Sequence, residues 1–171
     1  MKRILNKETP QYPDQEVKVA GWVNTRRDHG KIVFIDLRDR TGLLQIVCQP
    51  DLVKDVKEEY VLEIEGLIKK RPGNTAKKEM ATGEVELQAR QVKILAKSAA
   101  LPFNFIEKDL SLTLPILLDH RPLMIRNPEV KNIFKIGESI TESFRKTLKS
   151  LDFTEFQSPN IVPLVAEGGA D

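Results

Sequence analysis

Cysteine is almost missing from this sequence. Cys48 is the single one in 171 residues, so no internal disulfide can form and a reducing compartment, the cytoplasm by default, is the expected location. Long apolar runs are missing too: none approaches the roughly 20 residues that a bilayer-spanning helix needs, and the opening MKRILNKETPQYPD has no apolar stretch of the secretory kind. The formal net charge is only +2, which excludes strong whole-molecule attraction to a polyanion, so any nucleic-acid surface must be built locally. No metal site is expected. What remains, 40% hydrophobic and 30% charged residues, describes a folding globular chain with none of the apolar depletion of disorder. The length accommodates one complete core and part of a second.

Period-two alternation dominates from Glu16 to Lys97. Val17, Val19, Gly21 and Val23 share one side of a strand over 16–23, and Val33, Ile35 and Leu37 do the same over 31–38 after a loop containing Gly30. A turn over 39–42 leads to a third strand with Leu44, Ile46 and Cys48 in one row. Pro50, Asp51 and the run LVKDVKEEY predict a short helix capped by Asp51, with Leu52, Val53 and Val56 at helical spacing. Strands resume over 60–69 (Leu62, Ile64, Gly66, Ile68) and 84–97 (Val85, Leu87, Ala89), separated by the polar, turn-rich RPGNTAKKEMATG. Three strands, a helix and two strands is the order of an OB-fold, a five-stranded barrel. A small barrel without a ligand would show the same order.

Prolines 102, 115 and 122 punctuate residues 98–127, which read as an irregular linker closed by Pro128. A second domain is expected from there. Asn127-Pro128-Glu129 supplies a cap, a first-turn proline and an acid near the helix start. Val130, Ile133, Gly137, Ile140, Phe144, Leu148 and Leu151 then recur at three- and four-residue steps, an apolar face about six turns long that needs a partner surface. Phe153 to Gln157 alternates like a strand, ended by Ser158-Pro159.

Parity also defines a candidate site. With Val33, Ile35 and Leu37 inside, Phe34 must lie on the opposite face beside Ile32 and Asp36; Gln45 and Glu86 likewise oppose the buried rows of their strands. The loop TRRDHG adds Arg26, Arg27 and His29 at the rim, where cations can neutralise phosphates. An aromatic platform with amide and carboxylate edge-readers suits unstacked bases. A solvated sheet face with scattered polar residues fits the same pattern.

GWVNTRRDHGKIVFIDLRDRTGLLQIV closely resembles the anticodon-binding OB domain of aspartyl-tRNA synthetases, and MATGEVEL resembles the strand after that domain's variable loop. DFTEFQSPNIV and AEGGAD resemble further class II synthetase signatures, so the likeness runs from Glu16 onward; Asp152 stands where the family usually has glycine. The resemblance implies a mainly β OB-fold barrel over 1–97, a linker over 98–127, and over 128–171 the start of an α+β class II catalytic domain. Phe34 then matches the residue that stacks on the central anticodon uridine. Gln45, Glu86 and Arg27 match further anticodon contacts, and Arg71, Asn74 and Thr75 fall in the loop that approaches the third base. Glu167 matches a glutamate that contacts the ammonium group of the amino acid.

The helix and the segment ending at Pro159 resemble motif 1, which implies a homodimer interface containing Ile133, Ile140, Phe144 and Pro159; an ordinary core helix would explain part of the same face. The implied reaction is ATP- and Mg2+-dependent aspartylation of tRNA-Asp. Motifs 2 and 3 are not in the chain, so the chain alone is expected to be inactive and to have no catalytic residue or bound cofactor. The RDHG form, with His29, and Gly73 resemble synthetases that charge both tRNA-Asp and tRNA-Asn. An asparagine–tRNA ligase fragment, against which the EGGAD ending favours aspartate, and a free-standing synthetase-derived tRNA-binding module are the alternatives.

Overall fold

The computed structural model describes residues 3–71, 80–107 and 110–158. They fall into two compact units, 1–103 and 104–171. The first is a closed barrel of β1 (Glu16–His29), β2 (Ile32–Asp39), β3 (Gly42–Cys48), β4 (Val61–Lys70) and β5 (Val85–Ala96), in the order β1-β2-β3-β5-β4. The OB-fold topology expected from the alternation is therefore present. All neighbours are antiparallel except β3 and β5, which pair in parallel through Ile46–Leu87 and Val47–Gln88.

The alternating residues fill the interior as their period requires. Val19, Val23, Ile35, Leu37, Leu44, Ile46, Leu62, Ile64, Ile68 and Leu87 are all fully buried, each contributing about 1.5–3 kcal/mol of burial free energy. Gly21 and Gly66 share these inward rows because strands approach too closely there for a side chain: a Cβ would run into the carbonyl oxygen of Arg38 or Gln88. A 3-10 turn over Asn6–Gln11, not foreseen in the sequence, also packs on the barrel. Its buried Asn6 receives its hold from Asp39, whose Oδ2 accepts the Asn6 backbone N–H at 2.8 Å, while Asn6 Nδ2 donates to the Leu37 carbonyl at 2.9 Å.

Two expectations in this unit are corrected. TRRDHG is not a loop: β1 runs on to His29 and pairs with β2 as far as Ile32. The cause is a bulge between Val23 and Thr25, which inserts Asn24 and reverses the strand's parity. Alternation read without the extra residue loses phase there, and the strand seems to stop. The predicted helix after Pro50 shrinks to a 3-10 turn over Pro50–Leu52 followed by turns, with Gln49 rather than Asp51 at its cap position. Tertiary bonds override local propensity. Arg26 Nη1 takes the carbonyls of Val53 (2.9 Å) and Val56 (2.6 Å) as acceptors. Arg38 Nη2 donates to both carboxylate oxygens of the buried Glu59, at 2.7 and 2.9 Å, and holds it at φ 61°, outside the helical region. Val53 and Val56 enter the core as a result.

The second unit contains α1 (Leu114–Asp119), α2 (Arg121–Met124) and α3 (Pro128–Ser150), so part of the stretch expected to be irregular is helical. Both short helices carry proline in their first turn, where its missing N–H removes no helical bond, so these prolines start helices and do not break them. The α3 start is as expected: Asn127 Oδ1 accepts from the backbone of Glu129 (2.9 Å) and Val130 (3.2 Å). Asn127 Nδ2 also donates to the carbonyls of Phe105 and Glu107, tying the helix start to the preceding segment. After α3 the backbone turns left-handed at Asp152, φ 63°, the conformation for which glycine is the usual residue. No strand forms over 153–158: among the described residues that segment has no ladder partner, and its alternation alone cannot satisfy the backbone.

Candidate nucleic-acid interface

The outer face of β1, β2, β3 and β5 is set by register. Arg27 lies across from Phe34, Thr25 from Asp36, and Asp36 from Gln45, so these side chains share the face opposite the core. Phe34 is half-buried there, with His29 set edge-on to its ring at 5.4 Å between centroids and 83° between planes. That is a favourable arrangement for a quadrupolar pair. Gln45 Nε2 donates to Glu86 Oε2 at 3.2 Å, and Arg71 Nε lies 3.9 Å from the same oxygen. Arg71 is buried, which lowers its pKa against the opposing pull of Glu86 and Asp36.

Arg27, His29, Phe34, Gln45 and Glu86 are thus brought onto one face, with the buried Arg71 set against Glu86, though Arg27 and His29 reach it from a strand and not from a loop. Arg26 is not on it. After the bulge Arg26 pairs with Ile35, and its guanidinium serves the carbonyls of Val53 and Val56. Thr75, with Gly73 and Asn74, and likewise Glu167 and Pro159 lie outside the described residues. Ile133, Ile140 and Phe144 are on α3, 67%, 64% and 64% exposed. One participant, Thr25, escaped sequence reasoning, and another, Asp36, was placed on the face by parity but given no role. Asp36 Oδ1 accepts from Arg27 Nη2 at 3.0 Å, and its Oδ2 from Thr25 Oγ1 at 2.9 Å. A carboxylate two residues from Phe34 and across from Gln45 was a visible signal; Thr25 needed knowledge of the bulge.

The surface combines an aromatic ring, an amide and two carboxylates held by arginines, groups able to stack on a base and to read its edge. Residues 17–95 match the family model of OB-fold nucleic acid binding domains of the tRNA anticodon type, and residues 113–171 that of class II tRNA synthetases (D, K and N). The second of these stretches makes the C-terminal part of the chain similar to class II tRNA synthetases. Among curated synthetases, an aspartate–tRNA(Asp/Asn) ligase of Bifidobacterium longum is 38% identical over 164 residues, covering 92% of this chain and 27% of the relative. An aspartate–tRNA ligase of Staphylococcus saprophyticus is 38% identical over 165 residues, covering 92% and 28%. The chain thus spans little more than a quarter of these relatives. The solved asparaginyl-tRNA synthetase of Pyrococcus horikoshii, complexed with asparaginyl-adenylate, superposes with a TM-score of 0.76 at 26% identity, over 99% of this chain and 39% of that one. A putative aspartyl-tRNA synthetase from Leishmania major shares the fold, with a TM-score of 0.81 at 22% identity, over 96% and 36%. Among the described residues, no helix is long and apolar enough to cross a membrane.

Proposed function

We propose that this chain supplies anticodon recognition to a cytoplasmic aspartate–tRNA ligase, which activates aspartate with ATP and passes it to the terminal ribose of tRNA-Asp. The observation that carries the reading is the Phe34 face: a ring outside the core, flanked by Arg27 and His29 and followed along the sheet by the Gln45–Glu86 pair. A loop base with its stack opened can lie on the ring, while the amide and carboxylates meet donors and acceptors on base edges. Aspartate is favoured over asparagine as the amino acid because the curated relatives at 35–38% identity carry aspartate in their names.

The exposed Ile133, Ile140 and Phe144 support a homodimer through α3 in the whole enzyme. Glu167 is assigned to the substrate ammonium group, and Thr75 to the anticodon loop, on family likeness alone. ATP and magnesium belong to the reaction of the whole enzyme. Among the described residues no group of three or more His, Cys, Asp or Glu is placed to hold a metal ion. We expect the chain alone not to aminoacylate tRNA.

Binding of RNA hairpins with GUC, GUU and unrelated loops, at stated salt, tests the reading. Phe34→Ala is expected to cost about 1–3 kcal/mol of binding with little change in thermal unfolding, because the ring lies outside the core; undiminished binding would remove the proposed face. A second reading, charging of tRNA-Asn as well, is favoured by His29 lying against the Phe34 ring and by the double specificity named for the Bifidobacterium relative. In that case His29→Leu weakens GUU hairpins more than GUC hairpins. Equal effects on both would remove it.

A further inference from the structure

We propose that Asp36 is a positioning residue of this face, holding the Arg27 guanidinium beside Phe34 and so setting which base is accepted there. The inference rests on the reading of the face as an RNA-loop surface. Three observations lead to it. Asp36 is 7% exposed although charged, and the enclosure of a carboxylate is costly unless it is bonded. Both its oxygens are engaged, Oδ1 by Arg27 Nη2 at 3.0 Å and Oδ2 by Thr25 Oγ1 at 2.9 Å, and Thr25 is the residue directly across the ladder. The Arg27 side chain nevertheless stays 40% exposed, which leaves donors within reach of a ligand.

An arginine held on one side by a carboxylate keeps its planar fork in one orientation, and less freedom is lost when a ligand takes the free donors. The same carboxylate has a second effect. Asp36 lies opposite Gln45, which bonds Glu86, so the middle of the face contains two carboxylates, each set beside an arginine, Asp36 by Arg27 and Glu86 by Arg71. Carboxylate oxygens accept from the N–H edges of bases and offer nothing to a phosphate. The ligand class this favours is an unstacked base presented edge-on, with its backbone passing along the cationic rim.

Hairpin binding by the full chain distinguishes this role from simple support of the sheet. Asp36→Asn keeps the shape, removes one negative charge and releases Arg27. The preference for the GUC hairpin over an unrelated loop is expected to fall about tenfold. Binding of the unrelated loop is expected to hold or to strengthen, with a steeper salt dependence. Arg27→Lys, which keeps the charge and loses the fork, is expected to lower the preference similarly, and Asp36→Asn added to it should lower it no further. An equal loss for both hairpins, multiplicative effects in the double variant, or an unaffected Arg27→Lys protein would overturn the assignment. Should Asp36→Asn fail to fold, the Arg27→Lys result alone decides. Phe34→Ala in parallel separates the two levels: if it weakens binding while Asp36→Asn leaves the preference intact, only the Asp36 role is lost. If Phe34→Ala changes nothing, the RNA face and this inference fall together.

Discussion

The barrel and the helical unit use the same kinds of apolar residue with opposite results. In the barrel Ile35, Ile46, Ile64 and Ile68 are fully buried, whereas on α3 Ile133, Ile136 and Ile140 are 62–67% exposed and no residue of the helix is buried. A barrel closed through β1 and β4 satisfies its own ladder and core, and so specifies itself. An amphipathic helix only announces that a surface is needed. Apolar content by itself therefore says little about where stability resides.

The sharpest way to break this contrast is a pair of truncations. Ile35→Ala should destabilise the barrel by about 2–5 kcal/mol in urea unfolding. Ile140→Ala should change the unfolding of the monomeric chain by no more than about 0.5 kcal/mol; comparable losses would mean that α3 already has its partner surface. Cys48 reports on closure. Burial pushes its thiol from 9.0 up to about 12, so the buried neutral thiol stabilises the barrel fully below pH 9 and that contribution is lost as pH rises from 9 toward 12. Alkylation near pH 8 should consequently follow global unfolding, and prompt labelling of the native chain would show an open β3. The smallest stabilising change concerns the other unit. Asp152→Gly, at φ 63°, should strengthen the α3 terminus by on the order of 1 kcal/mol, measured as a rise in helix protection against hydrogen exchange, with no effect on the barrel.

Legibility followed the same division. Strands with one face in the core were readable residue by residue, because a buried row of period two admits a single register. Val33, Ile35 and Leu37 by their parity place Phe34 outside, and Asn127-Pro128-Glu129 marks the helix start through local chemistry alone. What failed depended on residues far apart in sequence. The segment after Pro50 has helical spacing, yet Arg26 and Arg38, over 20 residues earlier in the chain, claim its carbonyls and Glu59. The alternation of Phe153 to Gln157 has no neighbouring strand to make it a ladder among the described residues. At the face, Gln45 and Glu86 were readable by parity, but the Asp36–Arg27 bond was not, since Arg27 reaches the face only by virtue of Asn24.

That one inserted residue divides β1 into two stretches read in opposite phase. Before it, odd-numbered positions pack the interior; after it, Thr25 and Arg27 point away from the interior and Arg26 toward it. The two stretches are thereby uncoupled as engineering targets. Positions 25 and 27 could be recoded for a different ligand with Val17, Val19 and Val23 left untouched, and deleting Asn24 would join the two stretches into one regular alternation with Arg26 and Arg27 still across from Ile35 and Phe34.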